Sequence, residues 1–144
     1  MHDIINNLSI IQSVAPQVIQ GSALDTGDID MQGFETLCIA VMVGNIVDTL
    51  DADNRIDVKI EHGDATDAYA ACTDDDVLGA TGLAAGVFVS VDTGAKESKR
   101  HAIGYKGGKR YVKVTATPVS MSTGGPIAIL ALKGNAAQAP VANT

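Results

Sequence analysis

Hydrophobic and polar positions along this chain alternate with a period of two over long stretches, which is the signature of strands and not of helices. From Phe34 to Val43, Leu37, Ile39, Val41 and Val43 point one way while Cys38, Ala40 and Met42 point the other, and both sets are apolar. Such a segment is expected as a central strand buried on both sides, with Cys38 as a buried free thiol. From Arg55 to His62, Ile56, Val58 and Ile60 alternate with Asp57, Lys59 and Glu61, the half-exposed form of the same period. Val87–Val91 and Tyr111–Thr117 repeat it, and the continuous apolar run Pro126–Leu132 reads as a buried strand with its proline at the start.

Turn-forming residues separate these runs: Gly44–Asn45, Asp48–Asn54, Gly63–Asp67, Asp74–Asp76, Gly79–Gly86 and Gly107–Gly108. With no amphipathic helix between the strands, the chain is predicted to be all-β, an antiparallel β-sandwich or jelly-roll-like barrel spanning residues 17–134. Extended arms are expected at both ends. Residues 1–16 carry Ile4, Ile5, Leu8, Ile10, Ile11 and Val14 at a spacing that fits a short helix capped by Asp3 as well as an extended arm. Residues 135–144 form a tail of small residues and proline.

Composition narrows the function. At 144 residues the chain suffices for one domain that buries roughly 68–70% of its unfolded surface, so no metal or disulfide staple is needed. The apolar fraction of 46% consists almost entirely of aliphatic residues, and with no Trp, three Tyr and two Phe there are few rings on which sugars or bases could stack. A net charge of −7 opposes direct contact with nucleic acid. Cys38 and Cys72 are too few for a disulfide framework and lack the spacing of a zinc or redox motif. No apolar run reaches the ~20 residues of a membrane helix, and Asp3 stands where an export signal needs positive charge, so synthesis in a cytoplasm and no membrane partner are expected.

Candidate chemistry is sparse. His2, His62 and His101 are expected as surface residues, no GxSxG elbow accompanies them, and the glycines of GYKGGKR lack phosphate-loop order. No catalytic, cofactor-binding or metal residue is therefore assigned. The acids Asp48, Asp51, Asp53 and Asp57 fail the EF-hand pattern, with Arg55 and Ile56 where a ligand and a glycine belong. Solvated turns account for them and for Asp74–Asp76, although a calcium loop built from both groups stays open. More informative is the charge separation: Lys96, Lys99, Arg100, Lys106, Lys109, Arg110 and Lys113 fall within one short segment, while all acids except Glu97 precede it. This predicts a basic hairpin on an acidic body, read either as a solvated hairpin or as a docking edge for an acidic surface or for the acidic loops of a neighbouring copy.

The segment HAIGYKGGKRYV, with Ile103, Gly104, Tyr105, Lys109, Arg110, Tyr111 and Val112, then the Ile127–Leu132 strand and Pro140 in the tail, resembles a family of tailed-bacteriophage head decoration or cement proteins. The likeness extends to LDTGDIDMQGFETLCIAV and RIDVKIEHG, most of residues 20–141. It implies a structural, non-enzymatic virion protein on the outer capsid surface, often a homotrimer, that bridges major capsid protein subunits and is made in the bacterial host cytoplasm. An exterior position also suits an acidic protein better than a DNA-facing one. The residues expected to make the contacts are Ile4, Ile5, Leu8, Ile10 and Ile11 in the arm and Lys99, Arg100, Lys106, Lys109 and Arg110 in the hairpin. A receptor- or carbohydrate-binding module of a tail or fibre is the alternative, with Tyr69 or Tyr105 as its platform.

Overall fold

The computed structural model describes residues 3–143; His2 lies outside them. Among the described residues eleven strands form two antiparallel sheets. They are β1 (Ser9–Ile19), β2 (Leu24–Asp25), β3 (Ile29–Asp30), β4 (Phe34–Val43), β5 (Arg55–Ala65), β6 (Ala68–Ala71), β7 (Val77–Leu78), β8 (Val87–Val91), β9 (Lys99–Tyr105), β10 (Tyr111–Val119) and β11 (Gly125–Ala136). A single turn of 3-10 helix, Asp74–Asp76, precedes β7. The five-stranded sheet runs β1-β11-β4-β9-β7; the six-stranded sheet runs β2-β10-β5-β6, with β3 also on β10 and β8 also on β5. If β2 with β3, and β6 with β8, each count as one position, successive main strands cross from one sheet to the other except β5 and its neighbour β6/β8, as in a jelly roll.

The two inner faces supply the core. Leu37, Ile39, Val41 and Val43 of β4, Ile127, Ile129 and Ala131 of β11 and Ile103 of β9 meet Ile56, Val58 and Ile60 of β5, Val112, Val114 and Ala116 of β10 and Val91 of β8. Their partners one residue along, such as Asp57, Lys59 and Glu61, stay half-exposed, so the predicted period-two pattern of β5 is realised as written.

Both ends depart from the simple arm picture. The expected boundary at residue 16 falls inside β1, which pairs with β11 from Ser9↔Lys133 to Ile19↔Gly125. Register shifts between Gln12 and Val14, and between Val14 and Gln17, bring Val14 and Ile19 into the core. These bulges, with Pro16 on the strand, also keep an edge strand from templating further pairing. At the other end β11 continues to Ala136, and the tail then returns to the N-terminal turn. Val141 N–H donates to Asn6 O at 2.8 Å, and the Asn143 side chain donates to Ile5 O and Leu8 O and accepts from Ile10 N–H.

The β10–β11 connection is fixed from outside by a single carboxylate. Asp48 accepts hydrogen bonds from Ser122 N–H and Oγ–H, Thr123 N–H and Gly124 N–H, which holds its carboxyl far below the usual range. Gly124 is required there: its φ is +72°, and a Cβ would stand 1.8 Å from the Ile19 carbonyl oxygen.

Candidate interaction surface

The outward side chains of the five-stranded sheet define the most unusual surface of the molecule. Antiparallel register places directly opposed residues on the same face. One outward row therefore reads Ile10, Leu132, Cys38, Gly104 and Leu78, and the next reads Gln12, Leu130, Ala40 and Ala102. Beyond them lie Ala128, Met42 and Arg100, then Val18 and Pro126. Ile10 is 44% exposed, Met42 38%, Val18 59% and Leu78 58%. The face carries no carboxylate, and its only formal charge, Arg100, stands toward one end.

The expectation that β4 is buried on both sides is thus met on one side only. Leu37, Ile39, Val41 and Val43 are covered by the opposite sheet, but among the described residues no strand covers the outward side, where Ile10, Met42 and Leu78 stay exposed and only the small Ala40 and Ala128 are buried between their neighbours. Cys38 is consequently half-buried, and the fully buried thiol is Cys72. With strands about 4.8 Å apart and residue pairs repeating every ~6.8 Å along them, the face measures on the order of 400 Å². The largest apolar patch of a monomer is commonly of that size and is often functional. At one end of the face Pro16, Met42, Gly44, Pro126 and Ala128 line a shallow groove of about 330 Å³.

The N-terminal contact candidates divide between this face and the core. Ile10 lies on the face, and Leu8 extends its edge row, since a Cβ on Gly134 would come within 3.0 Å of the Leu8 side chain. Ile4 and Ile5 are exposed in the turn before β1, tied to Leu8 through Leu8 N–H to Ile4 O. Ile11 points the other way and packs against the core, so it is no surface contact.

The predicted basic hairpin does not form. β9 belongs to the five-stranded sheet and β10 to the six-stranded one, so Lys106–Arg110 is a corner between sheets, and the basic residues at its two ends are separated. Lys99 and Arg100 open β9, a strand length of about 20 Å from the corner. At the corner, Arg110 forms a fork with Asp30 (3.0 and 2.8 Å) and also reaches Gln32, while Lys109 pairs with Asp64. Lys96 pairs with Asp92 at 2.7 Å. Arg110 and Lys96 hold the carboxyls of Asp30 and Asp92 below their usual range. Three of the seven basic residues of this segment, Lys96, Lys109 and Arg110, are therefore answered within the chain, and such exposed pairs stabilise little. Lys99, Arg100, Lys106 and Lys113 have no ion pair among the described residues; of these Arg100, opposite Met42, borders the apolar face, whereas Lys99 opposes the inward Val43 at the end of the sheet.

The tyrosines and histidines are likewise engaged. Tyr105 is 4% exposed, its hydroxyl accepts from Lys109 N–H at 3.0 Å and lies 2.9 Å from His62 Nδ1, and burial pushes its pKa up to about 12. Tyr69 donates to Asp28, with Lys113 over its ring. Neither ring offers an open platform. His62 and His101 are not the surface residues expected: His62 continues the inward row of Ile56, Val58 and Ile60, and His101 Nε2 is 2.8 Å from Lys96 O. The acidic turns are self-capped, Asp51 by the N–H groups of Asp53 and Asn54 and Asp74 by those of Gly82 and Leu83. The two acidic groups do not converge on a calcium site among the described residues.

The class these features define is a jelly roll with one sheet face apolar and uncovered. No family model and no curated protein matches the chain. Among solved structures it is similar to the SPBc2 prophage-derived protein YomS, with 11% identity over 88% of this chain and 92% of that one and a TM-score of 0.45. Among the described residues no helix is long and apolar enough to cross a membrane.

Proposed function

We propose that this chain is a non-enzymatic structural virion protein, a decoration or cement protein that binds the outside of a tailed-phage head and bridges major capsid protein subunits as a homotrimer. The observation that supports this reading best is the uncovered apolar face of the five-stranded sheet, which meets the major capsid protein. A face of about 400 Å² is half of the ~800 Å² per partner in a standard interface. It serves as the desolvated centre, and its rim supplies the rest through Arg100, with Lys99 next to it at the end of the sheet, against an acidic surface and through Ile4 and Ile5. The resemblance of HAIGYKGGKRYV and its flanking strands to phage decoration proteins supplies the biological setting. The outer surface suits a body of charge −7, which the packaged phosphates would repel. Separation of the proteins of purified particles tests the reading. The chain is expected in copy numbers comparable with the major capsid protein; its absence from mature particles, or only a few copies, would contradict it.

A further inference from the structure

We propose that His62, Cys72 and Asp76 form a zinc site that pins the 3-10 turn and the β6–β7 connection to the inner face of the six-stranded sheet. One ligand atom from each side chain, an imidazole nitrogen, the Cys72 Sγ and a carboxylate oxygen, lies within 4.8 Å of the other two. This is the only such group among the described residues. The fold brings it together through three separate constraints. His62 ends the inward row of β5, Cys72 is held by its N–H on Ile60 O at 3.1 Å, and Asp76 is fixed by the turn cap at Thr73.

The donor set selects the metal. A thiolate and an imidazole are poor ligands for calcium or magnesium but are ordinary ones for zinc, and a carboxylate completes three of its four positions. Zinc–ligand bonds of 2.0–2.3 Å in a tetrahedron place ligands about 3.3–3.6 Å apart, so the side chains need to draw in by roughly 1 Å. Asp76 has an oxygen to give: Oδ2 accepts from Thr73 N–H and Oγ–H, while Oδ1 faces His62 Nδ1 at 4.0 Å. The Tyr105 hydroxyl, 2.9 Å from the same nitrogen, gives up that hydrogen bond when zinc takes the Nδ1 lone pair, while its oxygen keeps the Lys109 N–H. As zinc binds, a Zn–S bond replaces the S–H bond and the thiol proton leaves to solvent. The imidazole binds through its neutral Nδ1 with its proton on Nε2, and the carboxylate binds already ionised. Two anionic ligands then balance the divalent ion.

None of the three ligands is on the apolar face, although Asp76 ends the turn that leads into Leu78, so zinc binding is measured on the free chain, apart from capsid binding. The test uses the full chain, stripped with chelator and titrated with Co²⁺ and then Zn²⁺. A thiolate-to-cobalt charge-transfer band is expected, saturating at one equivalent and displaced by zinc, together with a zinc-dependent rise in melting temperature. Cys72→Ala should abolish the band while Cys38→Ala keeps it, and Asp76→Asn should weaken zinc binding at least about tenfold. His62→Gln provides a second variant should Cys72→Ala fold poorly, and it too should lose the band. No charge-transfer band, a melting temperature indifferent to zinc, or a band that survives Cys72→Ala and disappears in Cys38→Ala would each overturn the proposal.

Discussion

Deleting residues 1–16 should leave a chain that no longer folds stably, whereas deleting residues 1–7 should leave the jelly roll intact. The longer deletion removes β1 from Ser9 through Pro16 and with it the partners of Ile129, Leu130, Ala131, Leu132 and Lys133 on β11. It also removes Val14, which is 4% exposed, and Ile11, which packs on the core. Burial of two such aliphatic side chains contributes about 1.5–3 kcal/mol each. The total lost, with the newly exposed flank of β11, is at least about 5 kcal/mol, comparable with the whole stability of a small domain. The shorter deletion removes only the Ile4–Asn7 turn and the contacts through which Asn6 and Ile5 hold the tail. It should cost about 1 kcal/mol or less. Urea unfolding followed by circular dichroism separates the outcomes. A cooperative transition of near-native midpoint in the longer deletion would show that β1 is an appendage after all.

The second large effect concerns adjacent residues of β11 that face opposite ways. Leu130→Glu should leave the melting temperature close to that of the parent and weaken binding to capsids at least about 100-fold, because it buries an unpaired charge at the centre of the contact. Ile129→Glu, one residue earlier but fully buried in the core, should prevent folding. Met42→Glu should behave like Leu130→Glu, since Met42 lies on the same outward face and is 38% exposed. Thermal melts and sedimentation of the variants with decorated and undecorated heads provide the measurements. Full capsid affinity in a well-folded Leu130→Glu protein would exclude this face from the contact.

The sequence shows which strands form more readily than how they connect. β4, β5, β10 and β11 were legible because their core-facing sets keep an unbroken period of two. β1 was not, since its bulges shift the period between Gln12 and Gln17 and leave a spacing that a helix also fits. β9 was hidden by its charged start, although His101, Ile103 and Tyr105 already alternate inward. The turn at Gly107–Gly108 looks like a hairpin because spacing alone cannot reveal whether a chain returns to its own sheet or crosses to the other. The apolar outer row of β4 was visible as Cys38, Ala40 and Met42, and only the topology shows that no strand among the described residues covers it. His62, Cys72 and Asp76 follow no motif spacing; the β5–β6 pairing and the turn after it bring them together.

Imaging the native particle by electron microscopy, at a resolution that shows strands, tests the central claim most directly. The account predicts the jelly roll on the outside of the shell with Ile10, Met42, Leu78 and Leu130 against major capsid protein subunits. Density that places the chain inside the shell, or outside with this face open to solvent, would contradict it.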